Sequence, residues 1–144
     1  MNILRVLKRV GGHWHTGGAG QATQVDGDKF VCMDQILAGD QCVIYSFGLA
    51  ADWTFEDQMD LLGTVHSLMK FSVYMMLKSK GCQIFAYDHT INAPPRRGQN
   101  IQYFKTGVGF GENLKPLSQI IAENDHKNTG IDYLKVKYKL HGIL

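Results

Sequence analysis

Two short segments of the chain carry the residue types of a nucleoside pocket. Residues 42–56 read CVIYSFGLAADWTFE and contain an apolar strand, a turn at Gly48 and the start of a helix. Residues 82–88 read CQIFAYD and form a second apolar strand that ends in Asp88. In α/β proteins the backbone of such a turn lies close to the ligand, and an acid after the neighbouring strand accepts hydrogen bonds from ribose hydroxyls. Gly48 and Asp88 together therefore predict a nucleoside site.

The turn at Gly48 also indicates which nucleoside fits. A dinucleotide pyrophosphate needs close backbone approach at several points, and its fingerprint accordingly carries three glycines. Ala50 and Asp52 stand here where further glycines are expected, and the Asp52 carboxylate would repel a phosphate beside it. A nucleoside that has no phosphate and carries a positive centre suits this turn better. S-adenosylmethionine, whose sulfonium is cationic, is such a ligand.

The residues around these segments predict strands that alternate with helices. Thr54 and Asp57 form a helix start that resembles a capping box, and apolar residues then recur at spacings of three and four as far as Met76. A helix of about 25 residues exceeds the usual length of roughly 8 to 20, which indicates an insertion. The remaining pattern predicts strands at 29–33, 42–47, 82–87, 101–105 and 131–136 and a helix at 114–123. This alternation predicts an α/β fold with a mostly parallel sheet and flanking helices.

Length and charge narrow the function classes. A chain of 144 residues is expected to form one domain at most, and a formal charge of +2 requires no nucleic-acid partner. His66 and Lys70 interrupt the apolar stretch 61–77, so no membrane span is predicted. No apolar run near the first residue is long enough for a signal peptide, and a cytoplasmic location is the default expectation.

The glycine-rich run, its histidines and the three cysteines predict little chemistry. Residues 1–25 include the run GGHWHTGGAG and are predicted to form a flexible segment, because ordering glycine is entropically costly. His13 and His15 lack the further ligands that a metal needs, so no metal site is predicted. No CxxC pair occurs, and the cysteines are expected to be unreactive free thiols that behave as small apolar residues; they are Cys32, Cys42 and Cys82.

Five stretches of the sequence resemble one protein family. They are VGG at 10–12, DGDKFVCMD at 26–34, CVIYSFGLAADWTFED at 42–57, GCQIFAYDHT at 81–90 and IDYLKV at 131–136. Together they resemble the methyltransferase-like domain family that includes methyltransferase-like protein 24. The resemblance implies a class I, Rossmann-like methyltransferase fold with S-adenosylmethionine as the methyl donor.

The same resemblance assigns donor-binding roles to particular residues. The positions that correspond to the family's donor site are Ser46, Phe47, Gly48, Asp88, Asp26 and Gly27. The first three would line the methionine side of the donor, and Asp88 would hold the ribose hydroxyls. The last two, which precede the sheet, would close over the pocket.

The chain departs from the family pattern in two places. Gly48 and Asp88 are about 40 residues apart, whereas the glycine turn and the ribose acid usually lie about 20 apart. This surplus matches the excess length of the predicted helix, so residues 61–79 are interpreted as an insertion. After the strand at 131–136, Lys137 stands where the family has an aspartate. Its cation would lie beside the expected methyl-transfer centre, where it would repel a sulfonium.

These departures define the expected domain and the alternatives to it. Residues 26–136 are expected to form a truncated, class I methyltransferase-like domain, which could be catalytically inactive. Residues 137–144 are expected to form a divergent tail. One alternative is a non-catalytic adenosine-binding or interaction module, indicated by Lys137 and by the lack of further predicted strands after 131–136. A second is a nicotinamide-dependent oxidoreductase, indicated by the βαβ pattern alone.

The residues that would act on a methyl acceptor are less well defined. The acceptor itself is not identified, and no catalytic residue is assigned. His89 is the position to inspect for a general base, although a histidine there is more often a strand cap or a solvent-facing side chain. Arg96 and Arg97 could bind an acidic acceptor, but a solvated loop is the favoured interpretation of this motif.

Overall fold

The structure, a computed structural model, describes residues 7–15, 24–26, 29–32, 36, 42–50, 52–69, 82–92 and 97–137. Its strands are β1 (Leu7–Val10), β2 (His13–His15), β3 (Gln24–Asp26), β4 (Lys29–Cys32), β5 (Val43–Phe47), β6 (Gln83–Tyr87), β7 (Ile101–Phe104), β8 (Gly107–Val108), β9 (Leu114–Lys115) and β10 (Tyr133–Val136). Its helices are α1 (Thr54–Met69) and α2 (Leu117–Glu123).

Four strands form a parallel sheet in the order β10, β5, β6, β7. Near-continuous apolar runs are typical of strands that are covered on both faces, and β5 and β6 are buried almost throughout. The chain proceeds from β5 to β6 and β7 on one side and returns to β10 on the other. The sheet therefore has a topological switch point between β5 and β10, where a crevice opens beyond the carboxyl ends of the strands. The predicted α/β fold with a mostly parallel sheet is confirmed.

Among the described residues, α1 packs against one face of this sheet and α2 packs against the other. Side chains alternate between the faces along a strand, so Ile44 and Ile84 pack with Phe55 and Met59 of α1. On the opposite face, β5 and β6 present a layer of aromatic rings to Ile120 of α2. The helices thus fix the sheet from both sides and leave its carboxyl edge for the site.

The expected flexible segment 1–25 contains three strands in the structure. β1 pairs antiparallel with β4, and β2 pairs antiparallel with β3, within the glycine-rich region. The ladders satisfy backbone N–H and C=O groups of residues on both sides of the glycine-rich run. The N–H of Gly11 also donates to Gln58 of α1 at 2.9 Å. Gly11 therefore contacts the first turns of α1, and the predicted flexibility of residues 1–25 stays a prediction.

The two predicted helices differ from the observed ones. At 114–123 the chain first forms β9 and turns helical only at Leu117, because the ring of Pro116 disfavours a helical conformation in the residue before it. α1 is described as far as Met69, and the rest of its predicted length lies outside the described residues. The insertion expected at 61–79 stays a prediction. In the described part of the chain, neither helix is long and apolar enough to cross a membrane.

The expectation of three free thiols is wrong for two of the cysteines. Cys42 and Cys82 form a disulfide, with their Cα atoms 4.4 Å apart, and Cys32 is free. Each bonded cysteine directly precedes one of the neighbouring parallel strands β5 and β6, whose first residues, Val43 and Gln83, are partners in the register. The pairing brings the two sulfurs together at the amino edge of the sheet. Disulfides persist mainly in oxidising compartments, and the compartment of this chain stays a prediction.

Candidate functional site

The turn that follows β5 is held in a conformation that requires glycine. Gly48 has φ = 78°, in the left-handed region, and a Cβ at this position would collide with the carbonyl oxygen of Lys137. The Gly48 N–H donates to the Tyr87 carbonyl at 3.0 Å, and the Lys137 N–H donates to the Phe47 carbonyl at 2.9 Å. The carboxyl ends of β5, β6 and β10 are therefore joined directly through backbone atoms.

Asp88 ties the turn to the end of β6. Its Oδ2 accepts hydrogen bonds from the N–H groups of Leu49 at 2.8 Å and Ala50 at 2.9 Å. Ala50 has φ = 48°, which is unusual for a residue with a side chain, so the bond to Asp88 stabilises a strained turn. Gly48 and Asp88 lie side by side, as their sequence context predicts, but the carboxylate bonds the turn itself.

The second oxygen of Asp88 is bonded to Thr90. Oδ1 accepts from the Thr90 N–H at 2.8 Å and from the Thr90 hydroxyl at 2.6 Å. Burial by itself raises the pKa of Asp88, but the hydrogen bonds from Thr90, Ala50 and Leu49 outweigh burial and hold this pKa below its usual value. The carboxylate is therefore charged at neutral pH and is only 4% exposed.

Tyr103 and Arg97 fix the surroundings of this loop. The Tyr103 hydroxyl donates to the carbonyls of Asp88 at 2.7 Å and Ile91 at 3.0 Å, and its ring packs edge-on against Trp53. The guanidinium of Arg97 forms an ion pair with Asp57 at 2.7 Å and lies 5.2 Å from the centre of the Trp53 ring. Arg97 thus supports the loop next to α1, and Arg96, the other candidate for an acidic acceptor, lies outside the described residues.

A crevice of about 210 Å³ opens at the switch point. Backbone and polar groups come from the ends of β5, β6 and β10, and apolar side chains come from β8 and β9. The lining residues are Phe47, Gly48, Ala50, Tyr87, Asp88, His89, Thr90, Gly107, Val108, Leu114, Val136 and Lys137. A crevice with apolar walls and a few polar groups at its floor is the usual form of a small-molecule site.

Two of the residues that line the crevice, Phe47 and Tyr87, belong to a stack of aromatic rings. Phe47 and Tyr87 stack with their ring centres 5.1 Å apart, and Phe104 stacks on Tyr87 at 4.6 Å. The Tyr87 hydroxyl accepts a hydrogen bond from Asn124 at 2.7 Å. Burial raises the pKa of Tyr87 to about 12, so this hydroxyl stays protonated over the physiological range.

Ser46 lies on the other face of the sheet from Phe47. Its hydroxyl donates to Glu56 Oε1 at 2.5 Å, and the same oxygen accepts from the Lys135 ammonium at 2.8 Å. The Glu56 and Lys135 side chains are only 0% and 4% exposed. Ser46 is not among the residues that line the crevice, because alternation along β5 directs it toward α1. The structure therefore places Ser46 in this buried cluster, and its expected role on the methionine side stays a prediction.

The other predicted site residues fall into two groups. Phe47, Gly48 and Asp88 come together at the crevice. Asp26 ends β3, paired with His13, and its side chain lies outside the described residues, as does the whole of Gly27. The roles of Asp26 and Gly27 stay predictions. Within the described ranges, no group of three or more histidine, cysteine, aspartate or glutamate side chains is placed to hold a metal.

The sequence did not single out several residues that the structure brings to the site. Val108 and Leu114 belong to the short strands β8 and β9, which carry too few residues to show a pattern. Lys135, which lies outside the crevice in the buried cluster with Glu56, was detectable as a lysine inside the apolar strand segment IDYLKV.

The comparisons with known proteins concern nearly the whole chain. A family model described as a methyltransferase domain matches residues 12–140, which include every residue that lines the crevice. This match confirms the methyltransferase-like family that the sequence motifs indicate. No curated protein and no solved structure matches the sequence significantly.

Proposed function

Because the chain belongs to the methyltransferase domain family, we propose that its crevice binds S-adenosylmethionine as a methyl donor. The observation that carries the proposal is the contact between the Gly48 turn and Asp88 at the carboxyl ends of adjacent parallel strands. The crevice lies above this contact, next to the switch point between β5 and β10. The same proposal includes a Rossmann-like fold and a relationship to methyltransferase-like protein 24 within the family.

The hydrogen bonds of the turn support a ligand without phosphates. A pyrophosphate site needs free backbone N–H groups at the glycine turn. Here the N–H groups of Leu49 and Ala50 already donate to Asp88, whose negative charge would repel a phosphate. A nucleoside with a cationic sulfonium has no such requirement. The geometry therefore favours S-adenosylmethionine over a nicotinamide dinucleotide.

The lining residues fit the parts of this donor. Val108 and Leu114 offer an apolar wall for the adenine, and Asp88 offers a charged acceptor for a ribose hydroxyl that displaces one of its present donors. Gly48 and Phe47 lie on the methionine side. The volume of about 210 Å³ is below the roughly 300–1,000 Å³ of pockets for drug-sized ligands, so the crevice encloses part of the donor instead of all of it.

In methyl transfer, the main contribution of the protein is to align the acceptor with the methyl group. S-adenosylmethionine, when bound, supplies an activated methyl group for in-line displacement, and the protein holds the acceptor in line with it. The rigid floor made by Gly48, Lys137 and Asp88 serves this positioning. His89 lines the crevice and is exposed, which makes it the candidate to take a proton from an acceptor. The methyl acceptor is not assigned.

Lys137 favours a second candidate function, a non-catalytic adenosine-binding module. This lysine lines the crevice at the end of β10 and carries a positive charge that opposes a sulfonium nearby. A neutral adenosine ligand meets no such repulsion. Binding of an adenosine ligand without methyl transfer is the behaviour expected of this alternative.

Calorimetry with S-adenosylhomocysteine and with NAD tests the proposal. We expect micromolar binding of S-adenosylhomocysteine and no binding of NAD at millimolar concentration. Gly107→Val should weaken binding at least about tenfold, because its Cβ position lies against Leu114 and His89 in the crevice. Gly130→Val is the matched control, since a Cβ at Gly130 meets no atom within 4 Å. Binding of neither ligand would contradict both enzyme hypotheses, and binding of NAD alone would favour the oxidoreductase.

A further inference from the structure

The hydrogen-bonding capacity of the Asp88 carboxylate is filled by the chain itself. An ionised carboxylate offers about four acceptor sites on its two oxygens. Asp88 uses four, two for the N–H groups of Leu49 and Ala50 and two for the N–H and hydroxyl of Thr90. A ribose hydroxyl can therefore bond to Asp88 only by displacing one of these donors.

Thr90 provides the donor that is easiest to displace. Three of the four donors are backbone N–H groups, which cannot leave without movement of the main chain. The Tyr103 hydroxyl anchors that main chain through the carbonyls of Asp88 and Ile91. The Thr90 hydroxyl, by contrast, swings away by rotation about a single bond. Thr90 is exposed and lines the crevice, so its place at Oδ1 is open to an incoming ligand.

We propose that the Thr90 hydroxyl occupies the position that a ribose hydroxyl of the ligand takes, and that Thr90 thereby sets the affinity of the crevice for ribose-containing ligands. This inference rests on the proposed function, because it assumes a nucleoside in the crevice. On binding, the ribose hydroxyl replaces the Thr90 hydroxyl at Oδ1, while Leu49 and Ala50 keep Oδ2. The turn at Gly48 then stays in place as the ligand enters.

Substitution of Thr90 tests this role by calorimetry. Thr90→Val keeps the branched side chain but removes the competing hydroxyl, so the affinity for S-adenosylhomocysteine should rise about three- to tenfold. Competition with adenosine and with 2′,3′-dideoxyadenosine then shows whether the gain depends on the ribose hydroxyls. We expect the gain for adenosine and none for the dideoxy compound, a difference that a merely structural role of Thr90 would not produce.

Control variants make each outcome decisive. Thr90→Ser keeps the hydroxyl and should bind like the wild type, and Thr129→Val, outside the crevice lining, should also be unchanged. Thr90→Ala is a second variant without the hydroxyl, and circular dichroism verifies that each variant is folded. Unchanged or weaker binding by Thr90→Val and Thr90→Ala, or an equal gain for both competitors, would overturn this inference alone. Failure of the wild type to bind S-adenosylhomocysteine would overturn the proposed function as well.

Discussion

Gly48 lies directly against the backbone carbonyl of Lys137, so closely that a Cβ on Gly48 would overlap the carbonyl oxygen. The contact joins the end of β5 to the end of β10 across the switch point of the sheet. The Lys137 N–H, 2.9 Å from the Phe47 carbonyl, continues the ladder to the same place. The floor of the crevice is therefore a backbone junction that leaves no room for a side chain at Gly48.

Gly48→Ala should destabilise the protein. A left-handed conformation costs about 1–2 kcal/mol for a residue with a Cβ, and the overlap with Lys137 adds to this cost. We expect the free energy of unfolding to fall by at least about 2 kcal/mol in urea denaturation. Gly130→Ala, at an open position, is the matched control and should change it little. Equal stability of the two variants would show that the backbone junction is not tight.

The buried ion pair between Glu56 and Lys135 should show strong energetic coupling. Lys135→Met leaves a buried carboxylate without its charged partner, which typically costs about 3–5 kcal/mol. Replacement of both residues by methionine should recover most of this loss, because neither charge then remains buried. A double-mutant cycle in urea measures the coupling free energy.

An exposed pair serves as the comparison for this cycle. The Lys115 Nζ and the Glu123 Oε2 lie 2.6 Å apart, but both side chains are well exposed, so solvent screens their attraction. Lys115→Met should change the unfolding free energy far less than Lys135→Met. Similar losses for the two substitutions would contradict a special role of the buried pair.

The stability of the protein should decrease in acid partly through Asp88. Its pKa lies below the ordinary value in the folded chain, so the unfolded chain takes up this proton more readily. The stabilisation is present above the unfolded pKa of about 4 and is lost as the pH falls through the folded pKa. Urea midpoints between about pH 7 and pH 3 should fall less steeply for Asp88→Asn than for the wild type. Parallel pH profiles would contradict the hydrogen-bonded, charged state of Asp88.

The disulfide between Cys42 and Cys82 should contribute substantially to stability. It closes a loop with a sequence separation of 40 residues, for which chain entropy predicts about 4 kcal/mol. The double variant Cys42→Ala/Cys82→Ala should lose an amount of that order, whereas Cys32→Ala should lose much less. Alkylation before reduction, followed by mass spectrometry, should label one thiol per chain. Labelling of all three cysteines would show that the disulfide does not form.

The sequence predicted the parts of the site that depend on short-range patterns. The apolar runs of β5 and β6 located two buried strands, and the residues after them located Gly48 and Asp88 at the same sheet edge. Because the carboxyl ends of parallel strands meet at one edge, proximity followed from the strand assignment alone.

Other features depend on contacts between distant segments. The pairing of Cys42 with Cys82 requires the register of β5 against β6, which neither strand's sequence specifies. The bonds from Asp88 to the Gly48 turn require the folded loop, so the sequence predicted a free ribose acceptor where the structure has an occupied one. Ser46 is a third such feature. It was predicted to line the crevice because Phe47 and Gly48 follow it, but the alternation of side chains along β5 directs it toward Glu56.

Nuclear magnetic resonance of the ¹⁵N-labelled chain, titrated with S-adenosylhomocysteine, tests the central claim most directly, because it reports both binding and location. We expect saturable shifts at the amides of Gly48, Leu49, Ala50 and Thr90 and in the strand Gly107–Val108. The amides of Thr129 and Gly130, outside the crevice lining, should change little. Absence of shifts at millimolar ligand, or shifts confined to residues outside the crevice, would contradict an S-adenosylmethionine site at the junction of β5, β6 and β10.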